Sequence, residues 1–167
     1  LYINKIDRLI KELRLTPEKM QEKLANVVSA FNTLIDTYAE PEYRDKWKVS
    51  IQDGSVTFGS AKDKWGFNLD IMKEKGISFK DVFAAYSDDG NVNDLAEKVP
   101  LAEAILGMVV KHHPPPHEAQ KYRVPKIWKG DLDSDIGKAI LNCDDNGPAV
   151  MMIVNMQIDP AAGPVAI

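Results

Sequence analysis

The chain has 167 residues, 44% of them hydrophobic, a single cysteine and a formal net charge of −4. That is enough apolar material for the core of one domain, or one and a fraction, and it excludes wholesale disorder. The acidic balance excludes nucleic-acid binding through a global positive field, the lone Cys143 excludes an internal disulfide, and no apolar run approaches the roughly 20 residues that span a bilayer.

Residues 1–3 suit a buried parallel strand, and Ile6, Leu9, Ile10 and Leu13 at helical spacing predict a helix behind the polar pair Asn4-Lys5. Thr16-Pro17-Glu18 supplies an N-cap hydroxyl, a proline at the first helical position and an acid in the first turn. Met20, Leu24, Val27, Val28, Phe31, Leu34, Ile35 and Tyr38 then form one apolar stripe on a second helix, which Pro41 ends. Trp47, Val49 and Ile51, then Val56 and Phe58, alternate around Asp53-Gly54, the pattern of two strands about a turn, with Gly59 breaking the second run.

A short helical module follows Trp65-Gly66-Phe67, with Ser78 as N-cap for Val82, Phe83 and Tyr86 and a loop over 87–93. Pro100 opens a helix in which Leu101, Ile105, Met108 and Val109 share a face, closed by His112 and Pro114. His113-Pro114-Pro115-Pro116-His117 reads as an extended polyproline linker. Beyond it, residues 122–128, 139–143 and 149–158 read as β-rich, with Asp145-Asn146-Gly147-Pro148 as a turn. The opening run has no initiating Met, and Pro164-Val165-Ala166-Ile167 stops as another apolar run begins, so a piece of a longer parent is expected.

Two short motifs carry chemistry. In Asn4-Lys5-Ile6-Asp7, placed straight after a strand, the Asp7 carboxylate can accept both N1–H and the N2 amino group of guanine in one charge-assisted bidentate pair. The Asn4 amide can support the base and tie neighbouring loops, and the aliphatic stem of Lys5 can lie along one purine face. Ser60-Ala61-Lys62 again follows a strand-like run; its small residues would let the Ala61 N–H reach the O6 acceptor, which adenine lacks, while Lys62 covers the opposite face. Together they predict that Asn4, Lys5, Asp7, Ser60, Ala61 and Lys62 choose guanine.

These two elements resemble the fourth and fifth signature elements of the GTPase superfamily. Lys111-His112-His113-Pro114-Pro115-Pro116-His117-Glu118-Ala119-Gln120-Lys121-Tyr122-Arg123 looks like the join of the G domain to the second domain in the elongation factor 2 family, and Cys143 to Met152 is similar to the opening strands of that family's barrel. The segment 71–95 is far shorter than the eukaryotic insertion, which points to the archaeal form. The resemblance implies an α/β fold, the C-terminal part of a P-loop-type G domain over 1–112 with a small inserted subdomain near 69–95. A linker over 113–123 and the incomplete start of an all-β barrel over 124–167 would follow. It also implies a GTPase parent that binds GTP/GDP, acts with the ribosome (rRNA and stalk proteins) in translocation, and works in the cytoplasm, with no membrane and no DNA partner. The phosphate loop, the Mg²⁺ ligands and the switch segments would all precede residue 1. This stretch alone would hold no catalytic residue and no metal, and is expected to be inactive.

Two other functions compete: another translational GTPase, such as a release or ribosome-protection factor, and a non-catalytic module in which Phe79, Phe83 and Tyr86 grip a stalk-protein helix. Three decoys are set aside. His112, His113 and His117 fall within six residues, but three prolines separate the His113/His117 pair and deny it helical zinc geometry, and no fourth ligand is near in sequence. Asp131, Asp133 and Asp135 imitate half a calcium loop, but Ile136 and Asn142 occupy its glycine and glutamate positions. Cys143, in a β-rich run, is expected to be a buried structural thiol.

Overall fold

The computed structural model describes residues 1–166, with nothing described for Ile167. The chain is α/β and divides into two compact units, 1–113 and 114–167, each taken by itself below.

The first unit is built on a three-stranded sheet of β1 (Tyr2–Ile3), β2 (Thr57–Ser60) and β3 (Trp65–Phe67), in the order β1-β2-β3. β1 runs parallel to β2, with Tyr2 opposite Thr57 and Ile3 opposite Phe58, while β3 returns antiparallel with Gly59 opposite Gly66. Period-two alternation sorts the side chains. Phe58, Trp65 and Phe67 share one face: Trp65 and Phe67 stack at 5.8 Å, and Phe79 meets Phe58 and Phe67 edge-on at 5.6 and 5.3 Å. Met20, Leu24, Ile71 and Val82 join this buried cluster.

The other face lies under α7 (Leu101–His112), where Thr57 Oγ1 meets Met108 Sδ at 3.3 Å. Gly59 and Gly66 make that closeness possible. A Cβ on Gly59 would lie 2.4 Å from the Trp65 carbonyl oxygen, and one on Gly66 would lie 2.8 Å from Leu101 Cδ1. Gly59 therefore sits inside β2 and is needed there, where the sequence alone suggests that it breaks the run.

The helices begin where their chemistry says. Thr16 accepts from the Lys19 N–H at 3.4 Å ahead of α2 (Pro17–Tyr38). Asn68 accepts from the Ile71 N–H at 3.0 Å ahead of α4 (Leu69–Lys75), and Gly76 closes that helix in the left-handed region. Ser78 and Asp81 form a capping box on α5 (Phe79–Ala85), and Asn91 caps α6 (Val92–Lys98). α1 (Ile6–Lys11) buries Ile6 and Asp7. The α2 stripe is covered unevenly: Met20 and Leu24 are buried and Phe31 and Ile35 are half-buried, but Val27, Leu34 and Tyr38 are exposed.

The strand expected around Trp47, Val49 and Ile51 does not form. Arg44–Trp47 is a helical turn, α3, with Tyr43 and Trp47 stacked at 5.0 Å, and residues 51–54 are a turn. Three alternating residues are too few to specify a strand, and a side chain supplies what a neighbouring strand would have. Asn32 of α2 accepts from the Val49 N–H and donates to the Val49 carbonyl, both at 2.9 Å.

In the second unit, residues 122–127 and 139–142 are helical instead of β. α8 spans Pro116–Ile127 and α9 spans Asp135–Asn142. His113 and Pro115 have extended dihedrals, but the expected linker ends there, because Pro116 takes the first helical position, where its missing N–H costs nothing. Ser134 accepts from the Gly137 N–H at 3.0 Å to start α9, and the Asp131 carboxylate accepts from the Asp133 N–H in the turn before it. Those start signals outweigh the β-branched and aromatic content. Cys143 is the left-handed C-cap of α9 at φ 52 and is half-buried, so it is neither in a strand nor a core thiol. Of residues 149–158 only 156–158 lie in a strand: β4 (Met156–Asp159) pairs antiparallel with β5 (Gly163–Ala166). No helix among the described residues is long and apolar enough to cross a membrane.

Candidate guanine-recognition site

Because β1 and β2 run parallel, both end at the same edge of the sheet, and both short motifs emerge there. Asn4 follows β1, and Ser60 is the last residue of β2. The two loops, 57 residues apart in sequence, are joined directly: the Ala61 N–H donates to Asn4 Oδ1 at 3.0 Å. That oxygen also accepts from the Lys5 N–H at 2.7 Å and the Tyr2 hydroxyl at 3.2 Å. Three donors fix the carboxamide, so its NH₂ is turned away from them. The amide that sequence reasoning directs at O6 is thus engaged by Asn4 in this structure, and a base oxygen would share it.

Asp7 lies in the first turn of α1, is 6% exposed, and its carboxylate makes no hydrogen bond among the described residues. Its oxygens are not among the buried polar atoms left without a partner, so the carboxylate keeps contact with solvent. Its charge is felt nearby: burial, with Asp7 adding to it, pushes the Tyr2 phenol up to about 12. Lys5 and Lys62 are both exposed, and both help hold the Glu12 carboxyl below its ordinary value, although the hydrogen bond from Arg8 is the larger cause. Arg8 and Glu12 form an ion pair at 2.8 Å on the outer face of α1.

Ser60 is fully buried and faces inward, its Oγ accepting from the Asp63 N–H at 3.1 Å. Its work is to staple the turn 61–64. This turn joins β2 to β3, so the motif occupies a hairpin tip. Both loops contain a non-glycine residue in the left-handed region, Lys5 at φ 67 and Lys64 at φ 60. Such positions cost on the order of 1 kcal/mol or more, and they gather where a loop is held for a ligand.

Asp63, Glu12 and Tyr86 belong to this neighbourhood and are not singled out for it by sequence. Tyr86 is visible only as the third aromatic of an aromatic run. Phe79 and Phe83 pack against the core and, with Met20 and Leu24, line a groove of about 610 Å³. Among the described residues no group of three His, Cys, Asp or Glu side chains is placed to hold a metal ion.

Over its full length the chain is 75% identical to elongation factor 2 of Cenarchaeum symbiosum (strain A). Over 99% of its length it is 56% identical to elongation factor 2 of Sulfurisphaera tokodaii and 53% identical to that of Sulfolobus acidocaldarius. In each case the chain spans 23% of the relative's length. No family model matches the chain.

Proposed function

Because the chain belongs to the elongation factor 2 family, in its archaeal form, we propose that it is the guanine-selecting section of a ribosomal translocation GTPase. Asp7 reads N1–H and the N2 amino group, the Asn4 NH₂ supports the purine, and the Ala61 N–H reads O6. The stems of Lys5 and Lys62 cover its two faces, and Ser60 holds the second loop in shape. The bond between Asn4 and Ala61 carries this reading, because it joins two motifs far apart in sequence at one sheet edge.

The full-length protein binds GTP and GDP and couples hydrolysis to translocation on the ribosome in the cytoplasm, with rRNA and stalk proteins as contacts. Phosphoryl transfer depends on a phosphate loop, Mg²⁺ and switch residues, which other segments of the full-length protein supply. In that protein residues 114–155 carry the chain from the G domain to a second-domain barrel, whose first hairpin is β4-β5. The 167-residue stretch by itself turns over no GTP; release of phosphate in proportion to its concentration would overturn that statement.

The base assignment is tested in the full-length factor with Asp7→Asn. The amide loses one acceptor and sets a donor against the guanine amino group, a mismatch that can cost roughly 10⁴-fold in discrimination. Xanthine has an oxygen there, so the variant prefers xanthosine triphosphate in competition binding. Retained guanine preference would mean that Asp7 does not read the base.

A further inference from the structure

One side chain touches both halves of the site. From the end of α5, the Tyr86 hydroxyl accepts from Trp65 Nε1 at 2.8 Å and donates to Asp63 Oδ2. Asp63 is the turn residue whose N–H donates to Ser60 Oγ, so the phenol grips the second loop two residues from Ala61. Its ring lies 4.7 Å from Lys11 Nζ, and Lys11 stands one turn beyond Asp7 on α1. The Trp65 N–H fixes the orientation of the hydroxyl and leaves its hydrogen one acceptor. Burial first, and the Asp63 bond second, push this phenol well above the usual tyrosine range, with Asp7 contributing, so the donor is present throughout the neutral range.

We propose that Tyr86 is a positioning residue for base recognition, clamping the turn that carries Ala61 against the helix that carries Asp7. The small helical module thereby controls how long guanine nucleotide stays bound. Tyr86 acts through Asp63 and Lys11 and does not itself touch the base. The inference rests on the guanine reading above.

The test uses the full-length factor and a fluorescent GDP analogue. Tyr86→Phe keeps the ring, its packing and the Lys11 contact and removes only the hydroxyl. Losing a hydrogen bond to a carboxylate is expected to speed nucleotide dissociation about tenfold while leaving the guanine-over-xanthine ratio unchanged. Asp63→Ala breaks the same bond from the turn, and the double variant should release nucleotide no faster than the faster single one, because both remove one interaction. Unchanged dissociation in both single variants overturns the proposal. So does a Tyr86→Phe variant that melts earlier yet releases nucleotide at the normal rate, since that is a purely structural role. Asp7→Asn run in parallel separates the two readings. If it keeps guanine preference, the site assignment fails; if it turns to xanthine while Tyr86→Phe releases nucleotide normally, only the clamp fails.

Discussion

Asn32 and Val49 face one another as two strands would, with one carboxamide satisfying both the N–H and the carbonyl of a half-buried peptide at 2.9 Å. Asn32→Ala leaves both backbone groups without a partner beside the core. A loss of about 1–3 kcal/mol is expected, read as a lower urea midpoint at constant m-value. Asn32→Asp keeps the acceptor and loses the donor, so it should fall between wild type and Asn32→Ala.

Gly59 and Gly66 let β2, β3 and α7 come together, and Gly59 has the less forgiving neighbour. A methyl group placed there would meet a backbone oxygen at 2.4 Å, and that oxygen can move only if the strand pair opens. Gly59→Ala is expected to cost more than about 2 kcal/mol, in the upper range for overpacking, and to weaken nucleotide binding in the full-length factor through the attached turn. A melting temperature indistinguishable from wild type would contradict the close approach.

The Ser78–Asp81 capping box predicts an acid-sensitive helix start. Hydrogen bonds from the Ser78 side chain and N–H hold the Asp81 carboxyl below its ordinary value of 3.8. A depressed folded-state pKa contributes stability that is present above the unfolded value and lost as pH falls through the folded one. The gap in melting temperature between wild type and Asp81→Asn should be steady above about pH 5 and close below 3.8. A gap independent of pH would show that the charge is irrelevant to the cap.

Lys111 bridges α7 to Asp70 at 2.6 Å and also donates to the Asp53 carbonyl at 3.1 Å. Both partners of the ion pair are about half exposed, at 53% and 48%, so solvent screening leaves it little net value. Lys111→Met should shift stability by less than about 1 kcal/mol, and the shift should shrink further in high salt. A larger loss would assign Lys111 a structural weight that its exposure does not support.

Local punctuation makes much of this legible. Thr16, Ser78 and Pro100 mark helix starts because a hydroxyl or a proline acts within one turn of its own position, and the structure has helices where they say. The two loop motifs proposed to read the base are equally local, four and three residues long, and strand β1 is enough to place the first. What stays hidden depends on partners far away in sequence. Nothing near Val49 announces that Asn32 replaces its strand, and nothing in an aromatic run separates Phe79, which packs, from Tyr86, which also donates. Past residue 113 the difference has another cause. Valine, tyrosine, isoleucine and tryptophan there favour strands as residue types, but Pro116 and Ser134 each open a helix, and those two signals prevail.

The three donors on Asn4 Oδ1 bear on when order is purchased. Ala61, Lys5 and Tyr2 converge on one oxygen through contacts that lie wholly within the chain, so the entropy of ordering both loops is surrendered during folding and not at encounter with ligand. The Ala61 amide should then resist hydrogen–deuterium exchange in the nucleotide-free protein, and arrival of the base should proceed without a slow ordering phase.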